Sequence, residues 1–259
     1  MPNRQPGSCR LPRYDGSWKL SVTEADPLTF ASDAIPRSRP GQLRLADCAR
    51  AFSHYTSPRI IVVALALAAV LRGVVGGWTW QVAIVPIYLI VTEPLTEWLI
   101  HVYVLHARGV RVRGRTLEPL AAREHRAHHA SPTELRWVFI PLVALLAFLP
   151  TIGLLVFVYA LIAHALAGGP LLAEWASGLL VAYAILAGYE WCHFLIHTPY
   201  RPKRWYYRLI WRNHRLHHYK NEHFWFGVTS HVGDVVLRTN PDQADVPKSQ
   251  TARSLAGTS

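Results

Sequence analysis

The sequence predicts an all-α integral membrane protein of about four transmembrane helices, arranged as two hairpins under a cytoplasmic helical cap. Three observations predict it. Hydrophobic residues make up 51% of the 259 and charged residues only 17%, yet the formal net charge is +11. Apolar and basic stretches must therefore be segregated along the chain, as in membrane proteins with basic loops. Four apolar segments are each long enough to cross a hydrocarbon core of about 30 Å. Finally, the 14 histidines are clustered rather than scattered. The unbroken apolar runs exclude a basic nucleic-acid binder, so no nucleic-acid partner is expected.

Residues 1–57 are rich in Pro, Arg, Ser and Gly without a sustained period, and are expected to form a disordered basic leader. No apolar core follows a short basic start, so this is not a secretory signal. The apolar segments run from about Ile60 to Gly77, Trp78 to Leu105, Val138 to Leu166 and Leu171 to His197. Gly76 and Gly77 turn the first into the second. Gly168, Gly169 and Pro170 turn the third into the fourth. These turns carry almost no Lys or Arg. The segment between the hairpins carries Arg108, Arg111, Arg113, Arg115, Arg123, Arg126 and Arg136. The segment after the fourth span carries Arg201, Lys203, Arg204, Arg208, Arg212, Arg215 and Lys220. By the positive-inside rule both basic segments and both termini face the cytoplasm. Trp78, Trp137 and Trp175 fall near span ends, as interfacial aromatics do. Residues 58–240 thus read as one membrane domain and 241–259 as a disordered polar tail. Cys9, Cys48 and Cys192 form no spaced pair, and no disulfide framework is implied.

The histidines form four boxes: His101 and His106 in HVYVLH, His125, His128 and His129 in HRAHH, His193 and His197 in HFLIH, and His214, His217 and His218 in HRLHH. On a helix, positions i, i+3 and i+4 share a face, so both triples and the third box converge. His101 and His106 stand at i and i+5, which predicts that the second helix relaxes its winding where it ends. The first and third boxes close spans two and four at one membrane face, and the other two follow directly. All ten imidazoles therefore gather at that face. Imidazole suits Fe, Cu, Zn and Ni, and ten ligands suit two ions at four to five each. Glu97, four residues before His101, and Glu190, three before His193, are candidates to accept the N–H of a ligating imidazole. His54 is expected to face solvent and His164 the outer interface, while His223 and His231 take solvated or supporting roles.

The order of the four boxes resembles the fatty acid hydroxylase / sterol desaturase superfamily of integral-membrane di-metal oxygenases. The strongest local match is WRNHRLHHYKNEHFWFGVTSHVGDVV, residues 211–236. It is similar to the closing segment of fatty acid 2-hydroxylases in HHYKN, in FGVTS and in the following aspartate, Asp234. YEWCHFLIH, residues 189–197, matches loosely. The resemblance spans about residues 58–239. It departs from the family at Arg238-Thr239, where a Gly-Thr pair is usual, and lacks the His-Pro-Gly-Gly of a fused haem domain. The resemblance implies a di-iron centre held by the ten histidines (the same imidazoles accept zinc), with Glu97, Glu190 and Asp234 as outer partners. It implies O2 as cosubstrate and hydroxylation of a lipid acyl chain held in an apolar groove, with Phe224, Trp225 and Phe226 as candidates to line or cover it. No dinucleotide fingerprint or haem signature is present, so a separate donor of cytochrome or ferredoxin type must bring electrons. The basic segments are suited to dock it and to contact anionic membrane lipids.

Other readings share parts of this pattern. A desaturase or a sterol or carotenoid oxidase would use the same centre. A histidine-rich metal-ion transporter would place ionisable groups in mid-helix, and spans one and three are nearly free of them. A metal-stabilised structural cap would need closed coordination.

Overall fold

The computed structural model describes residues 43–255; the first 42 residues of the expected leader, with Cys9, lie outside them. A short helix α1 (Leu45–Phe52) precedes α2 (Thr56–Val75). A 3-10 turn, Trp80–Ala83, leads into α3 (Ile84–Ile100), which continues as one turn of π-helix, His101–Leu105. A small antiparallel hairpin, β1 (Val110–Val112) and β2 (Arg115–Leu117), precedes α4 (Leu120–Ala130). Then come α5 (Leu142–Ala167), α6 (Leu171–His197), α7 (Trp205–Tyr219) and α8 (Val232–Val236).

Four stretches are long and apolar enough to cross a membrane: Thr56–Val75, Trp80–Leu105, Leu135–Ala167 and Leu171–His197. They are apolar around most of their circumference, and Val63, Leu67, Val70 and Val74 of α2 stand exposed where lipid would cover them. Pro94 and Pro150 sit inside α3 and α5, as membrane spans tolerate. The two hairpin turns use left-handed backbone at Gly76 and Gly77 and at Gly168, with φ of +65°, +64° and +68°.

Helix α6 is the common neighbour of α2, α3 and α5. Gly178 makes that closeness possible, because a methyl there would stand 2.5 Å from Val85 Cγ1 and 2.7 Å from Val156 Cγ1. Around it Val85, Val156, Ala160, Leu179 and Tyr183 form one buried cluster. At the other end of the spans, α3 and α6 deliver the first and third histidine boxes to the same face. There α4 and α7 lie across them as a helical cap.

Two expectations need correction. Residues 43–57 are not an irregular leader: α1 buries Cys48 and Ala51 against Val138, Phe139 and Phe194, with Phe52 packed alongside. Residues 241–255 are not a free tail either. Val246, Ala252 and Leu255 are buried, and Ser249 N–H donates to Lys220 O at 2.7 Å. Single apolar anchors in a polar stretch leave no hydropathy signal, yet they seat the segment on the cap. The β1–β2 hairpin is also absent from the sequence reading; Arg113 and Gly114 both take positive φ at its turn, the conformation that a tight two-residue hairpin requires.

Candidate metal centre

The ten histidines assemble into two sets of five. His101, His106, His125, His129 and His217 form the first, and His128, His193, His197, His214 and His218 the second; within each set one ring nitrogen per residue lies within 4.8 Å of all the others. The triple boxes are split between the sets. In α4 the i, i+4 pair, His125 and His129, joins the first set, while His128 points to the second. In α7 the i, i+4 pair, His214 and His218, joins the second, and His217 crosses to the first. The end of α3 supplies only the first set and the end of α6 only the second. The π-turn closes the i, i+5 spacing, with His106 N–H donating to His101 O at 3.0 Å.

Backbone carbonyls fix the tautomers. His101 Nδ1 donates to Phe226 O at 2.5 Å, His129 Nδ1 to Ala252 O at 2.9 Å and His217 Nδ1 to Phe224 O at 2.9 Å. In the second set His193 Nδ1 donates to Val138 O at 3.1 Å. A carbonyl only accepts, so each of these rings carries its proton on Nδ1 and a lone pair on Nε2. His217 Nε2 then faces His129 Nε2 at 3.2 Å, two lone pairs with no proton between them. Such a contact is repulsive unless a cation occupies the space. Burial and the neighbouring imidazoles also hold His125, His128, His214, His217 and His218 well below the ordinary histidine range. Burial holds His129 down to about 3, against an opposing bond to Ala252 O, and lowers His106 as well. Burial thus favours the neutral imidazoles that metal ligation requires.

The spacing fits a metal. Two imidazole nitrogens bonded to one ion at roughly 2.0–2.1 Å stand about 2.9 Å apart at a right angle and about 3.4 Å apart at a tetrahedral angle. The observed Nε2 pairs are His101 and His125 at 3.2 Å, His128 and His193 at 3.1 Å, and His214 and His218 at 3.0 Å. His106 Nε2 and His197 Nε2 are buried with no hydrogen-bond partner, one unused donor in each set.

The carboxylates act differently from the expectation. Glu97 does not reach His101. It accepts from Thr229 N–H at 3.0 Å, from Val228 N–H and from Thr229 Oγ1, and so holds the loop whose Phe226 carbonyl orients His101. Glu190 accepts from Ile140 N–H at 3.1 Å and from Ser57 Oγ, holding the loop whose Val138 carbonyl orients His193. Asp234 accepts from Phe226 N–H at 2.9 Å, Gly227 N–H at 2.8 Å and Thr239 Oγ1 at 2.6 Å. All three support the ligand array through a loop. Burial raises the Asp234 carboxyl, against those hydrogen bonds. Sequence reasoning missed the carbonyls of Phe224, Phe226, Val138 and Ala252, because a backbone oxygen carries no residue-type signal. Thr229 and Thr239 had one, since the first lies in FGVTS and the second follows Asp234 closely. His54, His164 and His223 stay outside both sets and are exposed, and His231 is partly buried outside them.

A cavity of about 450 Å³ opens beside the centre, between α3, α5 and α6, within the usual volume of small-molecule sites. His101, His125 and His193 line one end, Tyr88 and Tyr159 the other, and most of the wall is apolar. Ile100, Val104 and Leu155 line it and are also exposed on the lipid-facing surface, so it opens sideways. Phe224, Trp225 and Phe226 do not line it, contrary to expectation. Trp225 is buried with its Nε1–H on Pro241 O at 3.2 Å. Phe226 packs its ring against His101, His106 and His217 of the first set. Asp234 ties Phe226 and Gly227 to Thr239 and so fixes the start of the loop between them.

Comparison with known proteins finds relatives of this chain. A dihydroceramide fatty acyl 2-hydroxylase of Arabidopsis thaliana is 25% identical over 162 residues, which are 62% of this chain and 62% of that protein. The chain thus spans less than two thirds of that relative's length. A solved structure of full-length Scs7p, with only its hydroxylase domain visible, has a TM-score of 0.58 at 22% identity, covering 75% of this chain and 70% of that one; at such identity the likeness is one of fold. The family model for fatty acid hydroxylases matches residues 85–239, more than half of the chain and all ten clustered histidines. The chain that brings these histidines together belongs to the fatty acid hydroxylase family.

Proposed function

We propose that this chain is a membrane monooxygenase that hydroxylates a lipid acyl chain with O2 at a di-iron centre held by the ten histidines. The facing lone pairs of His129 and His217, 3.2 Å apart in a buried and unprotonated site, carry the metal assignment. Bound there, two redox-active ions supply the chemistry that reduces O2 and oxidises a C–H bond. The chain does the rest. Its imidazoles stay neutral and are oriented by carbonyls. Glu97, Glu190 and Asp234 hold the loops that carry three of those carbonyls or their neighbours. The cavity binds and orients the substrate and excludes water from the reacting end.

The cavity also bears on position. The histidines lie at its cap-side end, and the apolar space runs away from them into the membrane. A chain seated there presents carbons near its polar end to the centre. That supports oxidation beside the acyl carbonyl, the position in the name of the Arabidopsis relative. Electrons come from a separate cytochrome- or ferredoxin-type donor. Arg201, Lys203, Arg204 and Arg208, on and before α7, provide a basic face for an acidic donor. The basic loops put the cap and both termini on the cytoplasmic side.

Lipid mass spectrometry on cells expressing the wild type or His217→Ala tests the reading. One oxygen added to an acyl chain, with the wild type only, is the expected result, with His217→Ala still inserted in the membrane. Loss of two hydrogens instead would make the reaction a desaturation. A fully active His217→Ala protein would overturn the di-metal assignment.

A further inference from the structure

The cavity ends at a defined floor. Three helices line it as stripes at helical spacing. On α3 the stripe runs from His101 back to Tyr88, on α5 it runs from Pro141 to Tyr159, and on α6 it runs from His193 back to Ala182. The stripes on α3 and α5 end in a contact between side chains. There the Tyr88 and Tyr159 rings meet edge to face across the gap between α3 and α5, with centroids 5.0 Å apart. Beside this contact α3, α5 and α6 are tightly packed. Val156 faces the cavity and packs, together with Val85, against the backbone of Gly178, with no room for even one added methyl. The polar end and the closed end are thus both fixed.

We propose that the Tyr88–Tyr159 pair is a length gauge: the terminal methyl of the substrate chain abuts these rings, and they set the longest acyl chain that can be seated with its polar end at the histidines. The inference rests on the cavity holding the acyl chain, as proposed above. The span on α3 from Tyr88 to His101 is 13 residues, or roughly 20 Å at 1.5 Å per residue. One leaflet of a bilayer with a core of about 30 Å is about 15 Å deep. The cavity is therefore somewhat deeper than one leaflet, long enough for an extended chain of the length found in membrane lipids. The substrate class is a long acyl chain. Short acyl groups would leave apolar wall uncovered, and longer ones would push the reacting carbon past the centre. Closing the floor with tyrosines rather than aliphatic residues gives a rigid stop, since each ring has few rotatable bonds.

Two opposing variants test the gauge. Tyr159→Ala lowers the floor and Ala182→Phe raises it. Each is produced as the full chain in membranes beside the wild type and Tyr159→Phe. Two readouts are taken: the chain lengths of hydroxylated product, and the lengths of acyl lipids retained by the purified protein from a mixed-length lipid pool, measured by native mass spectrometry. Tyr159→Ala is expected to raise the relative amount of chains just past the wild-type limit about tenfold or more, the scale on which one methylene is discriminated in an apolar pocket. Ala182→Phe should shift the limit to shorter chains, and Tyr159→Phe should leave it in place. General damage would lower all lengths together and would not shift the two variants in opposite directions. An unchanged length distribution of retained lipid in both Tyr159→Ala and Ala182→Phe overturns the gauge, whatever the product data. If retained lengths shift as expected but no hydroxylated product forms with the wild type, the gauge stands and the hydroxylase reading fails.

Discussion

The two histidine sets have the same parts and different supports. Each takes two residues from a span end, an i, i+4 pair from one cap helix and the crossing i+3 residue of the other. In the first set His101, His129 and His217 all donate Nδ1–H to carbonyls. In the second His193 does so and the Pro132 carbonyl faces His197, while the Nδ1 atoms of His128, His214 and His218 are buried without a protein partner. The loops differ as well. The first set leans on the stretch from Phe224 to Thr239 and on the seated segment at Ala252, both late in the chain. The second leans on the short stretch between Val138 and Ile140. Equal ligand numbers therefore do not mean equal sites: outer hydrogen bonds orient imidazoles and raise their basicity, and the first set has more of them.

The largest expected effect separates the sets outright. His129→Ala should remove one metal equivalent and His128→Ala the other, each abolishing turnover, as read by metal content per protein and product formation. If either change strips both ions, the two sets are not independent and the comparison breaks. Next in size is the order of release. In a graded chelator titration of the reconstituted protein, the second set should empty first, with an affinity about 10–100-fold weaker, the scale of outer-partner loss. Simultaneous release would show that the carbonyl clamps do not matter. Removing residues 248–259 takes away the Ala252 carbonyl and should weaken the first set by about tenfold, drawing the two release steps together; an unchanged gap would mean that Ala252 only covers His129.

The smallest effect lies in the loop behind the first set. Arg238 takes φ +58°, and left-handed backbone costs a residue with a Cβ about 1–2 kcal/mol. Arg238→Gly should stabilise the protein by about 1 kcal/mol in thermal unfolding, with product lengths unchanged. A loss of stability would mean that the arginine side chain contributes more than its backbone costs.

Much of this was legible in the sequence, for identifiable reasons. The four spans follow from sustained hydropathy. The ten histidines stand out by type and spacing, and the i, i+5 interval of His101 and His106 foretold relaxed winding, which is a π-turn. What could not be read needs three dimensions. Spacing groups His125, His128 and His129 on one face, but only the placement of two centres on either side of α4 splits them. Glu97 and Glu190 sit one turn from a histidine, as an outer partner should, yet each bonds a loop on another element. The seating of residues 243–255 depends on three isolated apolar side chains that no averaged window detects. The departure at Arg238-Thr239 was visible as a mismatch, and its meaning came only with the backbone angle.

The π-turn has one further consequence. HVYVLH is one residue longer than HFLIH. Wound as an ordinary α-helix, the longer box would swing its second imidazole about 140° from the first, against about 40° for an i, i+4 pair. The wider turn absorbs the surplus where the helix is ending, so nothing packed earlier in α3 has to rotate. Residues 102–105 are thus a site where the coding sequence tolerates a change of length. Deleting one of them would let the turn revert to regular winding and leave the two imidazoles paired, whereas the same deletion before Glu97 in α3 would rotate both histidines and Glu97 off their targets together.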